Sequence, residues 1–278
     1  MNPATSVLEI SPQPTLAARL GSATADLRET VRLWRLWMAL GWFDIRLRYR
    51  GSVLGPLWVT LSTAVMVGGL GLLYSALFVT NLHDYLPFLA LSLVLWGYLS
   101  TMVSDACTCF LQAESMIRSM RLPFCLHAGR AMLRNMLVLL HSVIVIVVVF
   151  VIFDTWPGWA GLVTLPSLLL WAVDSLAICL LLGAFCARFR DIPPIVASVM
   201  QIAFFLSPIM WKPEMVGRHA QLLPLNPFYS LLEIVRGPLL GQTPSLIVWV
   251  SALGYSLVLC VAAWLLFARV RSRLAFWV

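Results

Sequence analysis

The side chains that could do chemistry in this 278-residue chain are few, and most of them are arginines. Arg46, Arg48 and Arg50 fall within five residues, with Tyr49 between the last two. A guanidinium presents a planar fork of donors that matches phosphate oxygens two at a time, so the cluster suits either a phosphate-bearing ligand or the headgroups of anionic lipids. Lys212, the only lysine, stands between Trp211 and Pro213. A phosphate-cradling loop needs a glycine-rich turn that ends in Lys followed by Ser or Thr. None can be built here, so ATP, if it drives the protein, is bound by another chain. Carboxylates and histidines are scattered. Asp84, Asp154, Glu214, Glu233, His83 and His219 lie on one side of the apolar segments and Asp44, Glu114 and Asp191 on the other, with no DxD or HxxxD-like cluster for a metal or a general base. Cys107, Cys109, Cys125, Cys179, Cys186 and Cys260 form no CxxC pair and no zinc spacing, and read as small apolar fillers.

The elements that must position these groups are membrane spans. Hydrophobic residues make up 61% of the chain and charged ones 11%, against about 45–50% and about 25% in an ordinary soluble domain. Together with a mean hydropathy of +0.91, this excludes a soluble enzyme and a disordered chain. Stretches of roughly 20 apolar residues predict six helices: 55–79, 86–109, a third between Arg134 and Asp154, 162–187, 193–211 and 245–268. The β-branched core of the third, VIVIVVVFVIF, is assigned to a helix because lipid tolerates only helices and closed barrels.

Sixteen of the nineteen basic residues fall on one side of these spans, leaving Lys212, Arg218 and Arg236 on the other. The positive-inside rule then places both termini in the cytoplasm, in an inner (plasma) membrane protein. Basic residues packed beside spans read as membrane contacts rather than as a nucleic-acid surface. Residues 1–26 read as a flexible cytoplasmic tail and 27–50 as an amphipathic interfacial helix, whose Arg28, Arg32, Arg35, Arg46 and Arg50 share one face. Ordinary basic flanking of a span would give the same stripe. The six-helix domain occupies 51–268, with a cytoplasmic segment at 112–123, and a second cytoplasmic tail follows at 269–278. The link 212–244 is too apolar for a solvated loop and too broken by Pro224, Pro227 and Pro238 to span, so it is expected to form short re-entrant helices on the outer side.

Three segments carry a resemblance: RYRGSVLGPLW entering the first span, RDIPP and FFLSPIMW framing the fifth, and LNPFYSLLEIVRGPLLG in the outer link. In that order and at those positions the chain resembles the membrane subunit of type-2 ABC exporters of lipid-linked polysaccharides, the O-antigen, capsule and teichoic-acid permeases, and is nearer to the O-antigen type. The resemblance implies a homodimer with two copies of a cytoplasmic ABC ATPase subunit, a channel between two six-helix bundles, and no cofactor on this chain, ATP and magnesium being held by the partner. It also implies that a polyprenyl-pyrophosphate headgroup enters near Leu54 and Gly55, which Arg46, Arg48, Tyr49 and Arg50 precede. Glu114 to Pro123 would be the helix that docks on the ATPase, through Glu114, Met116, Arg118, Met120 and Arg121. A solvated connector would have the same composition.

Among the aromatics, Tyr74, Trp96, Tyr98, Phe204 and Phe205 are candidates to line a path for sugars, although packing against lipid or helix explains such residues too. Asp174 and His141 are ionisable groups near mid-span, and a contact between them is a hypothesis. The remaining readings are an ABC-2 permease for another cargo (capsular polysaccharide, teichoic acid or a small hydrophobic molecule), a membrane glycosyltransferase, which lacks its carboxylate cluster, and a secondary transporter, which lacks an inverted repeat.

Overall fold

A computed structural model describes residues 15–52, Gly55 and 57–278. The chain is helical throughout, with no strand among the described residues. Five helices are long and apolar enough to cross a membrane: α3 (Leu57–Leu77), α4 (Leu82–Thr108), α6 (Phe124–Ile152), α7 (Thr164–Arg188) and α10 (Leu246–Trp277). Ahead of them lie α1 (Leu16–Arg32) and α2 (Trp34–Arg48). The remaining helices are α5 (Glu114–Ser119), α8 (Ile192–Leu206) and α9 (Pro227–Leu239). Short 3-10 segments cover Leu111–Ala113, Gly158–Val163 and Pro213–Leu225, the last kinked at Gly217.

The β-branched run is helical, inside α6. The fifth expected span is shorter than its apolar stretch. α8 ends at Leu206 because Ser207 is extended, the conformation that the following Pro208 favours, and its 15 residues cover about 22 Å. Asn226 then starts α9 by accepting from Phe228 N at 3.0 Å, with Pro227 preset for the first turn.

Packing centres on α4, the most buried of the long helices, which touches α3, α6, α7, α8 and α9. α3 keeps Leu61, Val65, Leu72, Leu73 and Leu77 exposed, and α8 exposes Val199, Ile202 and Phe205. In a membrane such faces meet lipid or another apolar surface.

Three boundary expectations are corrected. The flexible tail 1–26 is replaced from Leu16 by α1, which buries Ala23, Asp26 and Thr30 on one face against α6 and α10. The single helix over 27–50 breaks at Leu33, while Gly41 serves close packing: a Cβ there would sit 3.0 Å from Leu133 and 3.2 Å from the Arg130 carbonyl. The tail 269–278 is the last three turns of α10, with Leu274 buried. Sequence hid all three because their burial depends on helices more than 80 residues away.

Candidate functional site

At the arginine-rich end, α2 is clamped to the bundle by ions. Asp44 pairs with Arg130 through both of its oxygens. Arg134, buried on α6, lies 3.7 Å from Asp44 and donates to Asp105 of α4 at 2.7 and 3.2 Å and to Gln112 at 3.2 Å. Asn135 adds a 2.9 Å bond to the same Asp105 oxygen, and Arg48 approaches it at 3.8 Å. Two carboxylates thus hold three helices and three guanidinium groups. Neutralising one member would strand its partners in a half-dry site.

Over this network lies the expected phosphate patch. Arg46 and Arg50 are exposed and form no ion pair among the described residues, Arg48 is shared with Asp105, and Tyr49 is half-buried. Gly51 and Gly55 both have positive φ (83° and 54°), conformations that L side chains avoid, and Gly55 N donates to Ser52 Oγ at 3.0 Å. The arginines therefore stand at the end of α2, just ahead of α3 in the chain. Leu54 lies outside the described residues.

The expected coupling segment sits at the same end. α5 holds Glu114 and Arg118 in an i,i+4 pair at 2.8 Å, and Arg118 also donates to the Val278 carbonyl at 3.0 Å. The helix stops at Ser119, so Met120 is extended beyond it rather than stacked on Met116. Met116 is half-buried, and Met120 and Arg121 are exposed. Gln112, one turn before α5, links the segment to Arg134 and so to the network beneath the arginine patch.

The aromatic candidates scatter. Tyr98 stacks on Trp171 (5.3 Å between centroids) and bonds Ser175 at 2.6 Å, and Trp96 packs on Phe204 and Phe228, so both rings lie inside the chain. Tyr74 stacks on Phe78 and is half-buried. Phe205, which meets Phe204 edge-on, is 64% exposed. The Asp174–His141 contact is not made. His141 Nδ1 bonds the Leu137 carbonyl of its own helix at 2.7 Å, and Asp174 accepts from Ser256 of α10 at 2.7 Å.

Sequence reasoning missed the charges at the opposite end, which it left single. Arg236 is 1% exposed. It bonds Glu233, donates to Ser92 at 2.8 Å and to the Pro208 carbonyl at 2.5 Å, and lies 4.4 Å over the Phe88 ring. Trp171 Nε1 donates to the Leu231 carbonyl at 3.1 Å and Ser167 to that of Ile234 at 2.7 Å, so α9 is fastened along its length to α4 and α7. The signal was a Glu and an Arg three apart in an otherwise apolar helix. No group of three or more His, Cys, Asp or Glu among the described residues could hold a metal.

Over residues 35–240 the chain matches the family described as ABC-2 type transporter. The chain belongs to the ABC-2 type transporter family. It is also similar to the O-antigen export system permease protein RfbA of Myxococcus xanthus, with 23% identity over 209 residues, 74% of this chain and 80% of that protein. This ABC-2 transporter chain is therefore the membrane-embedded subunit of an ABC transporter, a transport component rather than a catalytic enzyme.

Proposed function

We propose that this ABC-2 chain is the channel-forming subunit of an ATP-driven exporter that moves an O-antigen-like polysaccharide, linked to polyprenyl pyrophosphate, across the inner membrane. The arginine-rich end faces the cytoplasm with both termini, α8 counts as a short sixth crossing, and α9 is the re-entrant helix on the outer side. Two copies of the chain assemble with two ATPase subunits that bind ATP and magnesium, and α5 with its flanks meets the ATPase. The exposed, apolar α3 and α8 faces become the meeting surface of the two copies. Phe205 is the expected aromatic already turned outward on that surface.

The observation that carries the reading is the exposed Arg46 and Arg50 beside Arg48, which is linked through Asp105 and Arg134 to Gln112 just ahead of α5. A pyrophosphate arriving there would meet guanidinium forks at the place where the ATPase acts. The similarity to an O-antigen export permease supports the choice of cargo.

The test is to co-express the chain with an ABC ATPase encoded beside it, purify the assembly and measure ATP hydrolysis with and without polyprenyl-pyrophosphate-linked glycan. A stable complex with cargo-stimulated hydrolysis is expected. Absence of any ATPase complex would sink the exporter, and stimulation only by a teichoic acid, a capsular glycan or a small hydrophobic molecule would keep the machine and change its cargo.

A further inference from the structure

Asp26 has no role in the reading above, yet its carboxylate is fully buried. It lies on α1 and reaches three other groups. Oδ2 accepts from Phe124 N at 3.2 Å and Oδ1 from Cys125 N at 2.9 Å, and Arg271 Nε of α10 donates to Oδ2 at 2.8 Å. The first two donors are unsatisfied amides of the first turn of α6, and Pro123, at the N-cap, has no side chain able to cap them. Asp26 therefore supplies from a distant helix the cap that its own segment lacks, with the negative charge at the positive end of the α6 dipole.

Its position matters because α6 begins where the segment 112–123 ends. That segment is held on one flank by Arg118 to the Val278 carbonyl and on the other by Asp26 to the start of α6. Both anchors involve the end of α10, through Val278 and Arg271. From Asp26 the chain runs through α1 into α2, which Asp44 fixes to α6 through Arg130 less than two turns further on. The stretch from Asp26 to Asp44 is thus tied to α6 at two points, one beside the coupling segment and the other beneath the arginine patch.

We propose that Asp26 is a positioning residue that couples the two: by capping α6 in trans it makes the segment that meets the ATPase and the arginine patch move as one body. The proposal rests on the exporter reading above. What it requires is a tie between α1 and the first turn of α6, whatever bond makes it.

The native Cys125 allows that requirement to be tested, since its amide and its thiol both face Asp26. In the purified complex with the ATPase, Asp26→Ala should keep basal ATP hydrolysis and lose stimulation by lipid-linked glycan roughly fivefold or more, the lower range of site-to-site coupling. Asp26→Cys, oxidised onto Cys125, should regain stimulation to within about twofold of the unaltered complex, a difference under about 0.5 kcal/mol. It should lose it again on reduction, and Asp26→Cys with Cys125→Ser should never regain it. Where Asp26→Ala fails to assemble, the oxidised and reduced Asp26→Cys protein carries the test alone. Undiminished stimulation in Asp26→Ala, or an oxidised Asp26→Cys complex as uncoupled as the reduced one, would overturn the proposal. An unaltered complex that glycan never stimulates would instead overturn the exporter reading beneath it.

Discussion

The two ends of the bundle use charge in opposite ways. At the arginine-rich end, Asp26, Asp44 and Asp105 each reach across to a helix remote in sequence, and Arg46 and Arg50 are left exposed around them. At the opposite end one guanidinium, Arg236, is spent entirely indoors on a carboxylate three residues away, a hydroxyl, a backbone carbonyl and an aromatic face. The first pattern joins parts that lie at a polar boundary and leaves charge available for a ligand. The second satisfies a buried backbone carbonyl, that of Pro208, from a guanidinium itself shielded from solvent. Charge at one end is an interface, and at the other it is a structural bolt.

The bolt predicts the largest effect. Arg236→Met leaves Glu233 without its cation and the Pro208 carbonyl without a donor, and should destabilise the chain by about 3–5 kcal/mol. Thermal unfolding in detergent would read this as a collapse of the transition. Adding Glu233→Gln should return part of the loss because the orphaned charge disappears. Full stability of Arg236→Met alone would erase the contrast between the two ends.

The clamp beneath the arginine patch comes next. Arg134→Ala frees Asp105 and removes the link to Gln112, but Asp105 keeps Asn135 and Arg48, so a smaller loss of about 2–3 kcal/mol is expected. The remaining ion pairs stand near solvent, and the stability of this end should fall with added salt while that of the Arg236 site should not. Stability at this end that does not fall with added salt would show that the clamp is not electrostatic.

The sequence made one half of this comparison easy to read and hid the other. Apolar length, the arginine bias and the cluster at Arg46 to Arg50 are local patterns, and the long helices followed from them. What stayed hidden were pairings set by tertiary approach: Asp26 with α6, Asp44 with Arg130, Arg236 with Ser92. No periodicity reports a partner 86 or 144 residues away. Tyr98 and Trp96 show the same limit, since their type suits a sugar path and only packing reveals that Trp171, Phe204 and Phe228 lie against their rings. The chain ends were misjudged because amphipathic content that looks soluble becomes core once α1 and the end of α10 lie against each other.

The smallest structural effect belongs to the exposed arginines, and there the two ends separate most cleanly. Arg46→Gln with Arg50→Gln removes two charges that pair with no described residue, so stability should change by no more than about 0.5 kcal/mol. Ligand binding should respond instead. Affinity for vesicles carrying a polyprenyl pyrophosphate should drop, and with it the cargo concentration dependence of ATP hydrolysis in the complex, while basal hydrolysis holds. Vesicles with only phosphatidylglycerol decide what the patch reads: an equal drop on both marks a general anionic surface, and a drop confined to the pyrophosphate lipid marks recognition by paired guanidinium forks, which a single headgroup charge cannot fill. Arg46→Lys with Arg50→Lys then divides charge from geometry, because lysine keeps attraction to an anionic surface and loses the fork. Binding that survives in the lysine pair would reduce the patch to a charged rim around the clamp below it.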